Sequence, residues 1–169
     1  MAAQPAQRFI EHLSGLDRGA RAELRRSLAF DPGQHVLAFQ YVERFAPDDG
    51  WRRNAYYLTA GLYALHPEHA EGRNFGRGVA DLQQRKASSS TETRFLALLD
   101  ADSDQLAYRL RQMVSLVKSE SISVDWRQLL DDLFWWNYPE RRVQRRWARG
   151  FYSTQPDEDD QDETDDTND

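Results

Sequence analysis

The chain has 169 residues and no cysteine, which excludes disulfide bridges and thiolate metal sites, and its length allows a hydrophobic core to form without such staples. Its formal net charge of −6 is unevenly spread, because all 22 Lys and Arg precede residue 156 and stand there against 19 Asp and Glu, whereas residues 156–169 carry nine acidic groups and no base. Residues 1–155 are therefore mildly positive, and the overall charge does not exclude anionic partners such as nucleic acid.

Helical periodicity runs through nearly the whole sequence, and no segment alternates apolar and polar residues long enough to predict a strand. The first helix begins near Pro5, which suits a first-turn position. The next predicted helices cover residues 19–29, 36–45, 51–65 and 72–82, separated by turns rich in Pro, Asp and Gly. In the helix over residues 51–65, apolar side chains recur every three or four positions, which predicts a packed seam.

Helix N-caps mark the second half of the chain. A capping box beginning at Ser89 precedes one helix, Asp102 or Ser103 can cap the next, and Asp125 can cap a helix from Trp126 to Trp136. A last helix is expected to start at Pro139 and to bury Val143, Trp147 and Phe151, which are spaced by four.

The pattern predicts an all-α protein of about eight to nine helices. We expect two small helical bundles packed as one elongated unit, an N-terminal lobe over residues 1–83 and a C-terminal lobe over residues 91–152, joined by a linker near residues 84–90. Residues 153–169 lack an apolar anchor and are expected to form a disordered acidic tail.

Arginine outnumbers lysine by 20 to 2. A GC-rich coding sequence would also raise this ratio, so the clustering of the arginines is more informative than their number. One cluster contains Arg18, Arg21, Arg25 and Arg26, and the other contains Arg141, Arg142, Arg145, Arg146 and Arg149. Because guanidinium groups bind phosphate oxygens in pairs and stack on bases, the second cluster predicts an anion-binding surface. Docking onto an acidic protein, or onto this chain's own tail, is the alternative.

Three consecutive aromatic residues, Phe134, Trp135 and Trp136, precede the second cluster. Consecutive positions sweep most of a helix circumference, so one ring is expected at the surface while the others fill the core. That exposed ring could stack an unpaired base or pack against a partner.

The sequence shows no constellation for catalysis and no cofactor motif. Asp131 and Asp132 are expected on a solvated helix face, although a metal-dependent nuclease could use them with the run from Asp100 to Asp104. That run imitates the opening of a calcium loop, but Gln105 and Arg111 stand where such a loop needs Gly and Glu. His66 and His69 flank Pro67 without an obvious third metal ligand.

The sequence resembles the CasB family, the small subunit of the type I-E CRISPR Cascade surveillance complex. The resemblance covers most of residues 8–152 and rests on fragments whose order and spacing match: residues 22–26 (AELRR), 75–77 (FGR), 94–102 (RFLALLDAD), 110–113 (LRQM), 124–126 (VDW) and 135–136 (WW).

The resemblance implies a non-catalytic structural subunit, present as two copies beside other Cascade subunits and crRNA, that stabilises target DNA and the displaced strand in the R-loop. It points to Arg25, Arg26, Arg77, Arg94 and Arg111 as nucleic-acid contacts, and the charge pattern adds Arg141, Arg142, Arg145, Arg146 and Arg149. We expect a cytoplasmic protein without a membrane partner. The rival interpretation is a protein-interaction scaffold whose arginines dock acidic subunits without touching DNA.

Overall fold

The computed structural model describes residues 4–153, and this part of the chain is all-α, as predicted. It contains nine α-helices, one short 3-10 helix and no strand, with a single isolated β-bridge between His69 and Val124. The helices are α1 (Pro5–Ser14), α2 (Arg18–Ser27), α3 (Phe39–Val42), α4 (Gly50–Leu65), α5 (Phe75–Lys86), α6 (Ser89–Leu99), α7 (Ser103–Ser119), α8 (Trp126–Phe134) and α9 (Arg142–Tyr152).

Helix α4 is the centre of the fold. Every residue from 55 to 64 is buried, because α1, α2, α3, α7 and α8 all pack against it. A helix that is surrounded in this way needs apolar or small side chains on all sides, and α4 supplies them with alanine, leucine, tyrosine and glycine. The seam predicted for residues 51–65 is therefore confirmed, and the buried surface extends beyond that seam.

Side-chain caps explain where several helices begin. Asp102 accepts hydrogen bonds from the backbone N–H groups of Asp104 and Gln105, both at 3.0 Å, and Asp125 accepts one from Gln128 at 3.0 Å. These two predicted caps are confirmed. The cap of α6 is Ser88 rather than Ser89, so that prediction was wrong by one residue.

Two predicted helices are shorter in the structure. The helix expected over residues 36–45 is a 3-10 helix, Val36–Ala38, followed by the single turn of α3. Helix α8 ends at Phe134, two residues before the predicted end. In both places the chain changes direction to bury some side chains and expose others, which is a tertiary effect that helical periodicity does not register.

Replacing Asp102 by alanine should lower the free energy of unfolding by about 1 kcal/mol, because two backbone N–H groups at the start of α7 lose their acceptor. Urea denaturation followed by circular dichroism measures the loss. Asp104→Ala is the matched control, since Asp104 lies in the first turn of the same helix without capping it, and should cost only a few tenths of a kcal/mol. Equal losses in the two variants would contradict the capping role.

The two halves of the chain contact each other extensively. Helices α1 and α4 pack against α8, and α5 packs against α9. The Trp51 indole donates a hydrogen bond of 2.5 Å to the Leu133 carbonyl, and buried His66 bonds the Ile122 carbonyl at 2.6 Å. The division into lobes at residues 84–90 stays a prediction, and the predicted acidic tail lies outside the described residues, Ser153 apart.

Candidate nucleic-acid interface

Helix α9 has a buried side and a charged side. Its buried residues include Val143, Trp147 and Phe151, as predicted. Four arginines lie on the opposite side, spaced by three or four residues so that they share one face, and all are exposed. We call this set, which spans about 10 Å along the helix, the arginine stripe: Arg142, Arg145, Arg146 and Arg149.

The helix starts at Arg142 and not at Pro139, so the predicted start was wrong. Arg141 adopts a left-handed conformation with φ 51° and ψ 40°, and its N–H donates to the Tyr138 carbonyl at 3.0 Å. This turn precedes α9 and makes Arg141 a capping residue rather than part of the stripe. Its guanidinium forms an ion pair with Asp100 at 3.2 Å.

A buried carboxylate anchors α9 from the inside. Asp132 is 1% exposed, and it accepts hydrogen bonds from the Trp147 indole N–H at 2.7 Å, from the Gln128 amide at 2.9 Å and from Arg146. The prediction of a solvated face was thus wrong for Asp132. Burial raises the pKa of this carboxyl above its ordinary value, against the opposite effect of the three donors.

Carboxylates within the described part of the chain pair with four of the ten predicted arginines. These pairs are Arg26–Glu23, Arg141–Asp100, Arg142–Glu140 and Arg146–Asp132. Glu140 adjoins the C-terminal cluster in sequence, and the fold adds Asp100 and Asp132 from more distant positions. Six of the ten form no ion pair with any residue from 4 to 153: Arg25, Arg77, Arg94, Arg111, Arg145 and Arg149.

Close contact between α5 and α9 brings the backbone around Arg77 near α9. Gly76 lies directly against the backbone of Trp147, and the Asn74 side chain donates to the Arg146 carbonyl at 3.4 Å. Arg77 follows Gly76 on the exposed side of α5. The Arg77 N–H also donates to the Asn74 side chain at 3.1 Å, so Asn74 links the backbone of Arg77 to that of Arg146.

The remaining predicted arginines lie elsewhere. The Arg111 guanidinium donates to the Leu28 carbonyl at 3.1 Å, which places it at the end of α2 near Arg25 and Arg26. Each of the two basic regions has an acidic side chain nearby, because Asp104 lines the same cleft as Arg111 and Asp100 pairs with Arg141.

Arg94 belongs to neither group. The Glu92 side chain faces α9, because it accepts a hydrogen bond of 2.8 Å from the Tyr152 hydroxyl. Arg94 comes two residues later, about 200° around α6, and therefore lies on the side of α6 away from that contact.

A cavity of about 430 Å³ adjoins the stripe. Its lining, Trp135, Tyr138, Arg142, Val143 and Arg146, forms what we call the aromatic groove. Trp135 is 53% exposed while Trp136 is buried, which confirms that one ring of the aromatic trio reaches the surface. Tyr138 is 43% exposed and was not predicted, because the turn that exposes it has no periodic pattern.

The described residues form neither a membrane-spanning helix nor a metal-binding cluster. No helix there is long and apolar enough to cross a membrane, and no group of three or more His, Cys, Asp or Glu side chains is placed to hold a metal ion. Asp131 and Asp132 are adjacent, but Asp132 is occupied by the α9 contacts. The groups that line the surface at this site are guanidiniums, aromatic rings and Val143.

Comparison with known proteins gives consistent matches. The family model of the CRISPR-associated protein Cse2 matches residues 20–152. The CRISPR-associated protein Cse2 of Thermus thermophilus is 48% identical over 157 residues, which are 88% of this chain and 90% of that protein.

Solved structures match as well. The crystal structure of CasB from Thermus thermophilus has a TM-score of 0.79 and 46% identity, and the match covers 89% of this chain and 99% of that one. A chain of a CRISPR RNA-guided surveillance complex, pre-nicking, has a TM-score of 0.79 and 26% identity, covering 89% of this chain and 93% of that one. The matched family region contains all ten predicted arginines.

Proposed function

The chain belongs to the CRISPR-associated Cse2 family, and on that basis we propose that it is a non-catalytic subunit of a CRISPR RNA-guided surveillance complex that holds DNA through the arginine stripe. The observation that carries the proposal is the charge of α9, whose exposed face has four arginines and whose sequence has no acid. The similarity to a chain of a CRISPR RNA-guided surveillance complex supports the assignment.

Phosphate binding explains why so many arginines share one short face. The four guanidiniums of the stripe repel one another, and phosphates relieve that repulsion. Arg145 and Arg149 form no ion pair with a described residue, so they are available to phosphates without breaking an existing contact. R-loop formation is nearly balanced in free energy, and a few contacts of this kind stabilise the open state.

The proposed contacts extend beyond the stripe. Arg77 enlarges the same surface, while Arg25, Arg26 and Arg111 form a second basic group at the end of α2, and Arg94 a third point on α6. We assign these groups to the target and displaced strands of the R-loop. The proposed setting is cytoplasmic, with other Cascade subunits, crRNA and a second copy of this chain as neighbours.

Replacing Arg145 and Arg149 by alanine should weaken DNA binding independently of base sequence. Each lost phosphate contact should reduce the slope of log affinity against log salt by roughly 0.7–0.9. The measurement is fluorescence anisotropy with labelled DNA over a salt series, for the full chain alone and in the reconstituted complex. We choose these two residues because Arg146 also bonds Asp132, so that its replacement would disturb the fold.

Arg8→Ala with Arg18→Ala is the matched control, because both arginines are exposed on other helices and form no ion pair with a described residue. This control should leave affinity and slope near wild type. An unchanged salt slope in the Arg145/Arg149 variant, with folding intact, would rule out the stripe as the DNA contact.

A protein-interaction scaffold is the second candidate, and one observation favours it. Phe30, Val36 and Leu37 are large apolar side chains, near one another in the chain, that are more than half exposed. Such residues are typical of subunit interfaces. Crosslinking in the assembled complex distinguishes the two functions, because a scaffold alone predicts crosslinks from these residues to protein and none from α9 to DNA.

A further inference from the structure

We propose that the aromatic groove is a stacking site for an unpaired nucleobase, in which Trp135 and Tyr138 contact the base while the arginines of α9 hold the phosphates of the same strand. This inference rests on the proposed function and deepens it, since it specifies a single strand as the ligand of this surface.

The groove combines an apolar wall with a cationic rim. The rings of Trp135 and Tyr138 meet edge to face, with centroids 6.2 Å apart and an interplanar angle of 74°. Arg142 lies 5.6 Å from the centroid of the Tyr138 ring, and Arg146, one helical turn further along α9, also lines the cavity. Single-strand sites usually combine aromatic rings on which a base stacks with guanidiniums that donate hydrogen bonds to its phosphate.

Trp135 stands between two cavities. The second, of about 500 Å³, lies toward α4 and includes Trp135, Tyr138 and Arg52, and the Arg52 guanidinium lies 5.1 Å from the Trp135 ring. Arg52 does not line the aromatic groove, so the side of Trp135 toward Arg142 and Arg146 is open. The cation–π contact with Arg52 holds the Trp135 indole in place. An indole that is already held in place favours stacking of a planar base on its other side.

The charge of the rim favours nucleic acid over an apolar peptide. The two charged residues of the lining are both arginines, and the nearby acid Glu140 is exposed and pairs only with Arg142. An exposed ion pair of this kind contributes no more than about 1 kcal/mol, so a phosphate can replace the carboxylate at little cost. An apolar segment of a protein would leave these guanidiniums without a new partner.

The test uses the full chain with two probes of equal length, an oligothymidylate and an oligonucleotide with abasic sites that keeps the phosphates and lacks the bases. Oligothymidylate should quench the tryptophan fluorescence mainly through Trp135, because Trp126, Trp136 and Trp147 are buried, Trp51 is only partly exposed, and Trp135 is more than half exposed. Trp135→Ala should abolish the quenching and weaken oligothymidylate binding roughly 5- to 150-fold. The abasic probe should bind both proteins equally.

Two further variants serve as controls. Trp135→Phe keeps an aromatic face and should retain most of the affinity. Tyr108→Ala removes an aromatic ring that is 61% exposed on α7, away from the groove, and should leave binding unchanged. Circular dichroism verifies that each variant is folded.

Each contrary result has a separate meaning. Equal binding of both probes without quenching, but with a normal salt slope, would overturn base stacking and leave the proposed DNA-binding function intact. Binding of neither probe would overturn both. Normal oligonucleotide binding by Trp135→Ala, combined with failure to assemble with the other subunits, would overturn the stacking site and identify the groove as a protein-docking surface.

Discussion

Gly76→Ala should destabilise the protein by at least about 3 kcal/mol, because the added methyl group has no space. A Cβ at position 76 would lie 2.6 Å from the carbonyl carbon of Trp147 and 2.9 Å from its Cα. These are backbone atoms, so a rotamer change cannot relieve the overlap and α9 would have to move away from α5. That movement would also disturb the packing of the Trp147 ring, whose centroid is 5.1 Å from those of Phe75 and Trp136.

Gly78→Ala is the matched control in the same helix. A Cβ at position 78 would lie 3.7 Å from Ile122, which is ordinary van der Waals contact. Because alanine is favoured over glycine in a helix by about 1 kcal/mol, this variant should equal or exceed wild type in stability. Urea denaturation compares the two variants, and equal stability would contradict the close approach of α5 and α9.

Asp132→Ala should cost about 3 kcal/mol of stability, because the Trp147 indole N–H and the Gln128 amide lose their acceptor inside the protein. Asp132→Asn should cost less, since the amide oxygen can still accept from one donor. Thermal or urea denaturation measures both variants. Asp131→Ala is the control on the same helix. The Asp131 side chain forms no hydrogen bond with residues 4–153, so this variant should change the free energy of unfolding by no more than about 0.5 kcal/mol.

The pH dependence of stability gives an independent test of Asp132. Burial raises the pKa of its carboxyl in the folded state, so between the ordinary and the raised pKa the folded protein holds a proton that the unfolded chain has released. The contribution of the Asp132 carboxyl to the free energy of unfolding therefore decreases as the pH rises through that interval. Asp132→Asn should remove this component, and a pH profile identical to that of wild type would contradict the assignment.

Local pattern was sufficient to predict much of the fold. The seam of α4, the caps Asp102 and Asp125, and the buried residues of α9 all follow from spacing or from one hydrogen-bonding side chain. The exposed ring at Trp135 was predicted from helical geometry, and the outcome is right although α8 ends at Phe134 and Trp135 lies in the turn that follows. In each case the relevant information lies within about two helical turns of sequence.

What could not be predicted depends on residues distant in the chain. Asp100 pairs with Arg141 across 41 positions, and Asp132 becomes buried because Trp147 packs against it. The left-handed position before α9 is occupied by Arg141 and not by glycine or asparagine, the residues that usually indicate such a turn. The start of α9 was therefore predicted three residues too early. The separation of Arg94 and Arg111 from the stripe likewise depends on how α6 and α7 are rotated in the fold.

Helix α9 has an inner side fixed by Gly76, Trp147 and Asp132 and an outer side whose Arg145 and Arg149 take no part in that packing. Because Arg145 and Arg149 form no ion pair with the described residues, single substitutions can change these two charges while the helix keeps its position; Arg146, which bonds Asp132, is the exception. Exchanging arginine for lysine at these positions would change the affinity for phosphate, because lysine lacks the planar guanidinium that forms paired hydrogen bonds. The orientation of α9, by contrast, should change little among related proteins, because it depends on the packing of Gly76, Trp147 and Asp132.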